Sequence, residues 1–388
     1  MLDELLSETA AQAIRRAQGA FDQAIGPARR FVLFGAGRMG RKVLAGMRRL
    51  GLDVAAWSDN ATALWGSQLE GLEVLSPQEA ARRFGQSSAF IVTIFRAEGG
   101  HFYPDTERTL KELGCRYVLF FVPLFWKYPQ TFLPYYNVDL PHRVIEAAGE
   151  IRNAMTLWSD EESRRHFVSQ LLWLLKGDVS NLPPPMDCEP YFPPGLFGPL
   201  DSETFVDCGA FTGDTLRGVV ERLHWPFRAY HALEPDPASF QALRHFVDGL
   251  APGLRDRIVL HPVAASDRCR KVRFSGGGTM DASFDQNGAE EVQCVRMDDE
   301  LAGLAVTMIK IDTEGAEREA LCGAEQIIRQ RRPILAVSAY HRQGDLWQLP
   351  LLIRSFGDDY RFYLHPHGYD SFDLVLYAIP RERAIHAR

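Results

Sequence analysis

The 388-residue sequence predicts an α/β protein made of two open, doubly wound sheets, one in each half of the chain. Three observations carry this. A strand, a glycine-rich turn and a helix follow one another twice, around Gly35 and around Gly209. Short apolar runs alternate with helical stretches in both halves, the order that gives a mainly parallel sheet covered on both faces. The last two runs, 361–364 and 374–379, are joined by residues 365–372, too few for a crossover helix. They must therefore pair as an antiparallel hairpin.

Taken in order, residues 2–25 read as one amphipathic helix, with Leu6, Ala10, Ala13, Ala17, Phe21 and Ala24 on a single face. Gly26-Pro27 stops it. Residues 31–34 are a strand, Gly35-Ala36-Gly37-Arg38-Met39-Gly40 is a full G-x-G-x-x-G, 41–50 is a helix, and 53–57 is a second strand ending near Asp59. This is a dinucleotide fingerprint in its strand–turn–helix–strand context. Gly35, Gly37, Gly40 and Asp59 are thus candidates for a nucleotide-type site; tight packing of a helix on its strand would also account for the glycines. Further strands are expected at 89–94 and 117–122, with a helix near 106–113 between them. The result is a small Rossmann-like domain over 1–130. Residues 131–200 form a connector. The aromatic, proline-rich stretch 123–141, across the junction of the two, reads as irregular. A helix capped by Ser159 with Glu162 precedes His166–Leu175, and the helices here are expected to buttress the domain interface. The prolines of 181–200 suggest a linker or a lid.

The second domain, 201–388, has strands expected at 205–206, 229–233, 258–262, 307–311, 334–338, 361–364 and 374–379. Its organising stretch is T-F-V-D-C-G-A-F-T-G-D-T, Thr204–Thr215. Asp207 ends a buried run, and Gly209 and Gly213 let the backbone approach a ligand. The second run ends in Glu234, followed by Pro235-Asp236-Pro237, an acid placed to accept the two hydroxyls of a ribose. No Gly-Lys-Ser/Thr follows the turn. Glycines with Asp207 and Glu234 describe a site for a positively charged nucleoside without phosphates, which S-adenosylmethionine fits. A degenerate NAD site or a purely structural turn are the alternatives. Asp312, Glu314 and Glu317 lie just past the fourth strand and His341 ends the fifth. Asp312 and His341 are the leading candidates for a general base. Glu314 and Glu317 would equally serve the N-terminus of a helix starting near Glu314, and His341 could be a packing residue. The acids could gather a divalent cation, but their spacing does not demand a metal.

Met308–Glu319 (M-I-K-I-D-T-E-G-A-E-R-E), V-D-C-G-A-F-T-G-D-T, L-E-P-D-P, A-A-S-D at 264–267 and P-I-L-A-V-S-A-Y-H at 333–341 together resemble the FkbM-type methyltransferase family over about 203–380. The resemblance implies a class I methyltransferase domain, with a seven-stranded sheet and a final hairpin. It implies S-adenosylmethionine-dependent O-methylation, often of sugars or sugar-bearing natural products. By position, Asp207, Gly209, Ala210, Gly213 and Asp214 would cradle the methionine part of the cofactor. Glu234 with Pro235 would take the ribose, Asp267 at the end of the third strand would lie near the adenine, and Asp312 beside the sulfonium. The glycine-rich 276–288 stretch receives no role. The N-terminal domain resembles that of bacterial sugar O-acyltransferases through Gly35, Gly37, Gly40, Asp59 and the G-x-x-L-E-G-L-E-V-L stretch Gly66–Leu75. That implies a nucleotide-sugar ligand; no acyltransferase repeat follows.

Composition fits a folded protein: 46% apolar and 24% charged residues. A net charge of −7 argues against general nucleic-acid binding. Six cysteines, none in a C-x-x-C pair, suit a reduced cytoplasmic protein. The acidic start, M-L-D-E-L-L, is not expected to be a signal peptide. The longest apolar run, 117–126, is too short to span a membrane. Three functions compete: an O-methyltransferase acting on a sugar, nucleotide-sugar or glycosylated product; an NAD-dependent oxidoreductase using Gly35–Asp59; and a non-catalytic nucleotide-binding scaffold. The acceptor and any homo-oligomer stay open.

Overall fold

The computed structural model describes residues 2–95, 102–275, 283–284 and 290–385. The chain forms two compact units that are interleaved in sequence. The first comprises Met1–Gly149, His166–Pro185 and Gly368–Phe372; the second comprises Glu150–Arg165, Met186–His367 and Asp373–Arg388.

In the first unit the opening helix is two helices, Leu2–Leu5 and Ala10–Ile25, not one. Thr9 causes the break: its side chain accepts from the Gln12 amide while the Gln12 side chain caps Thr9, a capping box that starts the second helix afresh. Six strands follow, β1 (Arg30–Phe34), β2 (Asp53–Ser58), β3 (Gln68–Leu69), β4 (Leu72–Leu75), β5 (Ala89–Val92) and β6 (Tyr117–Phe120). They form one sheet in the order β3-β4-β2-β1-β5-β6, with β1 parallel to both β2 and β5. The strand order reverses at β1, so the turn after it opens at the topological switch point. The proline-aromatic stretch is not irregular throughout. It holds helices Val122–Lys127 and Pro129–Phe132, the first started by Pro123 at a position that needs no amide hydrogen. Phe125 and Phe132 stack at 4.6 Å. The distant piece Gly368–Phe372 is tied into this unit by Ser371, whose hydroxyl accepts from Asn137 and donates to Gln170.

The second unit holds β7 (Thr204–Cys208), β8 (Ala229–Leu233), β9 (Ile258–His261), β10 (Ala264–Ala265), β11 (Arg270–Ser275), β12 (Ser283–Phe284), β13 (Glu290–Val295), β14 (Met308–Ile311), β15 (Ile334–Ser338), β16 (Tyr360–Pro366) and β17 (Leu374–Pro380). Seven of them form a sheet in the order β16-β17-β15-β14-β7-β8-β9. β7, β8, β9, β14 and β15 run parallel, and β17 pairs antiparallel with both β15 and β16, giving the expected final hairpin. Phe205, Val206, Ile309, Ile311, Leu335 and Val337 are buried, as in strands covered on both faces. Each such side chain contributes about 1.5–3 kcal/mol of burial. The order reverses between β7 and β14, whose carboxyl ends flank the crevice where such sheets bind ligands. A separate small sheet, β10-β13-β11-β12, was not anticipated. The helix Glu161–Lys176 is capped by Asp160, which accepts from the Ser163 amide, and not by Ser159. Ser159 instead accepts from the Phe362 amide on β16.

Candidate active site

The turn after β7 rests on a buried charge system. Lys310 and Asp207 face each other in register on β14 and β7, both almost wholly buried, with Lys310 Nζ 3.0 Å from Asp207 Oδ1. Tyr230 donates its hydroxyl to Asp207 Oδ2 at 2.6 Å, and Lys310 Nζ donates to the Gly209 carbonyl at 2.6 Å. Burial opposes the lysine's charge, but Asp207 above all keeps its pKa above the ordinary value. Burial likewise pushes the Asp207 carboxyl up, while Lys310 and Tyr230 pull it back. Asp207 therefore supports the turn from beneath. Gly209 and Ala210 donate their amides to the Leu233 carbonyl, binding the turn to the end of β8. Gly213 begins the short helix Asp214–Arg217 in the left-handed region, and Asp214 is exposed there.

Glu234, just past β8, is buried. Its Oε2 accepts from the Phe211 amide at 2.7 Å and its Oε1 from the Asp236 amide at 2.8 Å. Pro235 joins the two. Burial raises the Glu234 carboxyl to about 7 against the pull of those amides. Each oxygen keeps a second lone pair for a further donor. The acids Asp214, Glu234 and Asp312 around this turn, with the buried cation Lys310 neutralised below it, suit a positively charged nucleoside that lacks phosphates.

The loop after β14 meets this turn directly. Gly209 has φ +78°, and a Cβ there would run into the Asp312 carbonyl oxygen, so only glycine lets the two backbones touch. Asp312 keeps 24% of its side chain exposed, and its Oδ2 accepts from the Tyr191 hydroxyl at 2.9 Å. Glu314 and Gly315 are both left-handed, which turns the chain back sharply. Glu317 closes the turn: its Oε1 accepts from the Thr313 and Gly315 amides at 2.8 and 3.2 Å. The helix starts at Glu317 itself, three residues later than Glu314. His341, 2% exposed, places Nδ1 3.0 Å from Glu317 Oε1 and Nε2 3.6 Å from Asp312 Oδ1 and 3.5 Å from Glu314 Oε2. Burial works against its charge, but Glu317, Glu314 and Asp312 raise it to about 10, and Glu317 is correspondingly lowered to about 2. Asp345 accepts from the Arg342 amide, and burial together with Glu317 pushes it up to about 8.

Asp312, Glu317 and His341 offer ligand atoms within 4.8 Å of one another. Yet the imidazole stands between the two carboxylates, Glu317 at one ring nitrogen and Asp312 at the other. With a carboxylate beside each ring nitrogen, the arrangement suits an imidazole protonated at both.

Asp267 does not end the third strand. That strand stops at His261, and Asp267 follows β10 of the small sheet, paired with Arg268 at 3.1 Å. Residues 276–288 lie outside the described residues apart from β12. In the first unit, Gly35, Gly40 and Asp59 come together: a Cβ on Gly40 would strike the Gly35 carbonyl, and Asp59 accepts from the Ala36 and Ala61 amides at 2.7 and 2.8 Å. Gly37 alone has open space where a side chain would be. Lys310, Tyr230 and Tyr191 escaped the sequence reading. The lysine inside the apolar run M-I-K-I was the signal for the first; the other two carried none.

Residues 207–371 match the family model of the methyltransferase FkbM domain. The motifs Asp207–Asp214, Glu234 and Asp312–Glu317 all fall inside that match. Methyltransferase FkbM from Methylobacillus flagellatus KT is similar over 95% of this chain and 99% of its own, with a TM-score of 0.74 and 24% identity. That likeness shows the class I methyltransferase fold of the FkbM-like unit and extends over the first unit as well. The methyltransferase domain of bacterial CtHen1 is similar over 46% of this chain and 91% of its own, at 14% identity and a TM-score of 0.30. The N-terminal domain of human METTL16, solved in complex with SAH, is similar over 46% of this chain and 61% of its own, at 15% identity and a TM-score of 0.27. No curated protein matches the chain. Among the described residues no helix is long and apolar enough to cross a membrane.

Proposed function

We propose that the protein is an S-adenosylmethionine-dependent O-methyltransferase whose FkbM-like unit binds the cofactor on the Gly209 turn and accepts the substrate proton on Asp312. The observation that carries this is the direct contact between Gly209 and the Asp312 loop: the donor turn and a partly exposed carboxylate share one crevice. When bound, the cofactor would supply an electrophilic methyl group. The chain supplies the rest. Asp214, Glu234 and the amides of the turn orient the donor, and Asp207 with Lys310 stiffens the turn from below. Asp312 already accepts a hydroxyl proton donor, Tyr191, in the way a base accepts an acceptor hydroxyl.

Asp312 and Glu314, each about a quarter exposed, can take hydrogen bonds from two hydroxyls of one molecule. This favours a sugar, nucleotide-sugar or glycosylated product as acceptor. In the first unit we assign a nucleotide-type ligand to the Gly37 side of the G-x-G-x-x-G turn, where open space is the reason for glycine. The cofactor reading is tested by calorimetry with S-adenosylhomocysteine and with NAD. Tight binding of the first and none of the second is expected; the reverse would overturn it. Methyl transfer to a panel of UDP- and GDP-sugars and free glycosides then compares wild type with Asp312→Asn. Turnover should fall about 10²–10⁴-fold while S-adenosylhomocysteine affinity holds. Equal turnover in the two proteins would remove Asp312 as the base.

A further inference from the structure

His341 sits at the centre of a ring of charges. From the helix beginning at Glu317 comes the Glu317 carboxylate, at Nδ1. From the loop after β14 come Asp312 and Glu314, at Nε2. Asp345, at the head of the helix Asp345–Phe356, and Arg342 before it add one acid and one cation; Arg342 reaches Glu319 at 3.7 Å. The Tyr340 ring lies 4.1 Å from the imidazole, and Tyr191 holds the far oxygen of Asp312.

We propose that His341 is a positioning residue, an imidazolium fixed by Glu317 that holds the Asp312 and Glu314 carboxylates side by side toward the acceptor. A neutral imidazole has one N–H and one lone pair. With a carboxylate at each ring nitrogen, a neutral ring would aim its lone pair at an anion; only the doubly protonated ring offers a donor to both sides. Glu317 is fixed because it also accepts the Thr313 and Gly315 amides. Its buried carboxylate sets the ring, and the ring sets the two partly exposed acids. A residue already carrying both protons cannot take another from the acceptor, which leaves that task to Asp312. The inference thus rests on the reading of Asp312 as base and gives it a support.

The test needs no acceptor. In the full chain labelled with ¹⁵N-histidine, the His341 resonances, assigned by their loss in His341→Gln, should show both ring nitrogens protonated from pH 6 to about 8.5. A single-protonated tautomer at pH 7 would overturn the proposal. Glu317→Gln then removes the carboxylate that fixes the ring. Losing that charge should lower the His341 titration midpoint by about one pH unit or more, and Glu317→Asp should restore part of the difference. An unmoved His341 midpoint in a folded Glu317→Gln protein would also overturn it. If either variant does not fold, the wild-type nitrogen spectrum decides, with assignment by elimination using substitutions of the other histidines. Full turnover in Asp312→Asn, beside a His341 protonated at both nitrogens in the wild type, would instead sink the base reading and leave the positioning role standing.

Discussion

Lys310 and Asp207 form a buried ion pair whose worth lies in what it holds, since the lysine also grips the Gly209 carbonyl. Removing one partner leaves the other charged and alone in the core. Lys310→Met should therefore destabilise the protein by about 3–5 kcal/mol, read by denaturant unfolding. Adding Asp207→Asn should recover part of that loss, because no uncompensated charge then remains; no recovery would deny the coupling. Glu234 makes a pH prediction. Its carboxyl is raised to about 7 in the folded protein from an unfolded value near 4.5, so the folded state binds the extra proton between these values. The stability from this group is fully present below about pH 4.5 and is lost as pH rises through 7, by up to about 3 kcal/mol. Glu234→Gln should flatten that part of the stability–pH curve measured without ligand. An unchanged slope would show that Glu234 titrates normally.

At the scale of elements, two glycines of similar appearance part company. Gly209 lies in the left-handed region against the Asp312 carbonyl; Gly37 has φ −74° and nothing beside it. Gly209→Ala should cost about 1–3 kcal/mol from backbone strain alone and weaken S-adenosylhomocysteine binding. Gly37→Val should shift stability within about 1 kcal/mol and leave that binding within a few-fold. Thermal unfolding with and without S-adenosylhomocysteine checks both, and a large loss of cofactor binding in Gly37→Val would contradict the assignment to the Gly209 turn. Sequence alone revealed β7, β8, β14 and β15 because parallel strands buried on both faces are continuous apolar runs, as in M-I-K-I and I-L-A-V-S. It missed β11 and β13 because R-K-V-R-F-S and E-E-V-Q-C-V are half polar; their period of two was present but unread. It missed the Lys310–Asp207 pair because the register of β14 on β7, not proximity in the chain, makes it. The acids of D-T-E-G-A-E were legible as a cluster. That Glu317 faces inward to His341 while Asp312 and Glu314 stay partly exposed was not, since this depends on left-handed backbone at Glu314 and Gly315.

For the molecule as a whole, a ligand that binds only the folded protein raises its melting temperature. S-adenosylhomocysteine should do so equally in wild type and in Asp59→Asn, whose changed carboxylate belongs to the other unit. A lost gain in Asp59→Asn would place the cofactor on the first sheet. The α/β class was readable from the order of strands and helices; the way the two units share the chain was not, because residues 166–185 and 368–372 join the first unit from far along the sequence. That interleaving bears on inheritance. A single genetic crossover anywhere between residues 149 and 368 parts the first unit from at least one of its own pieces, so a one-point exchange cannot hand that unit on intact. Sequence trees built separately from the two units should therefore share one branching order.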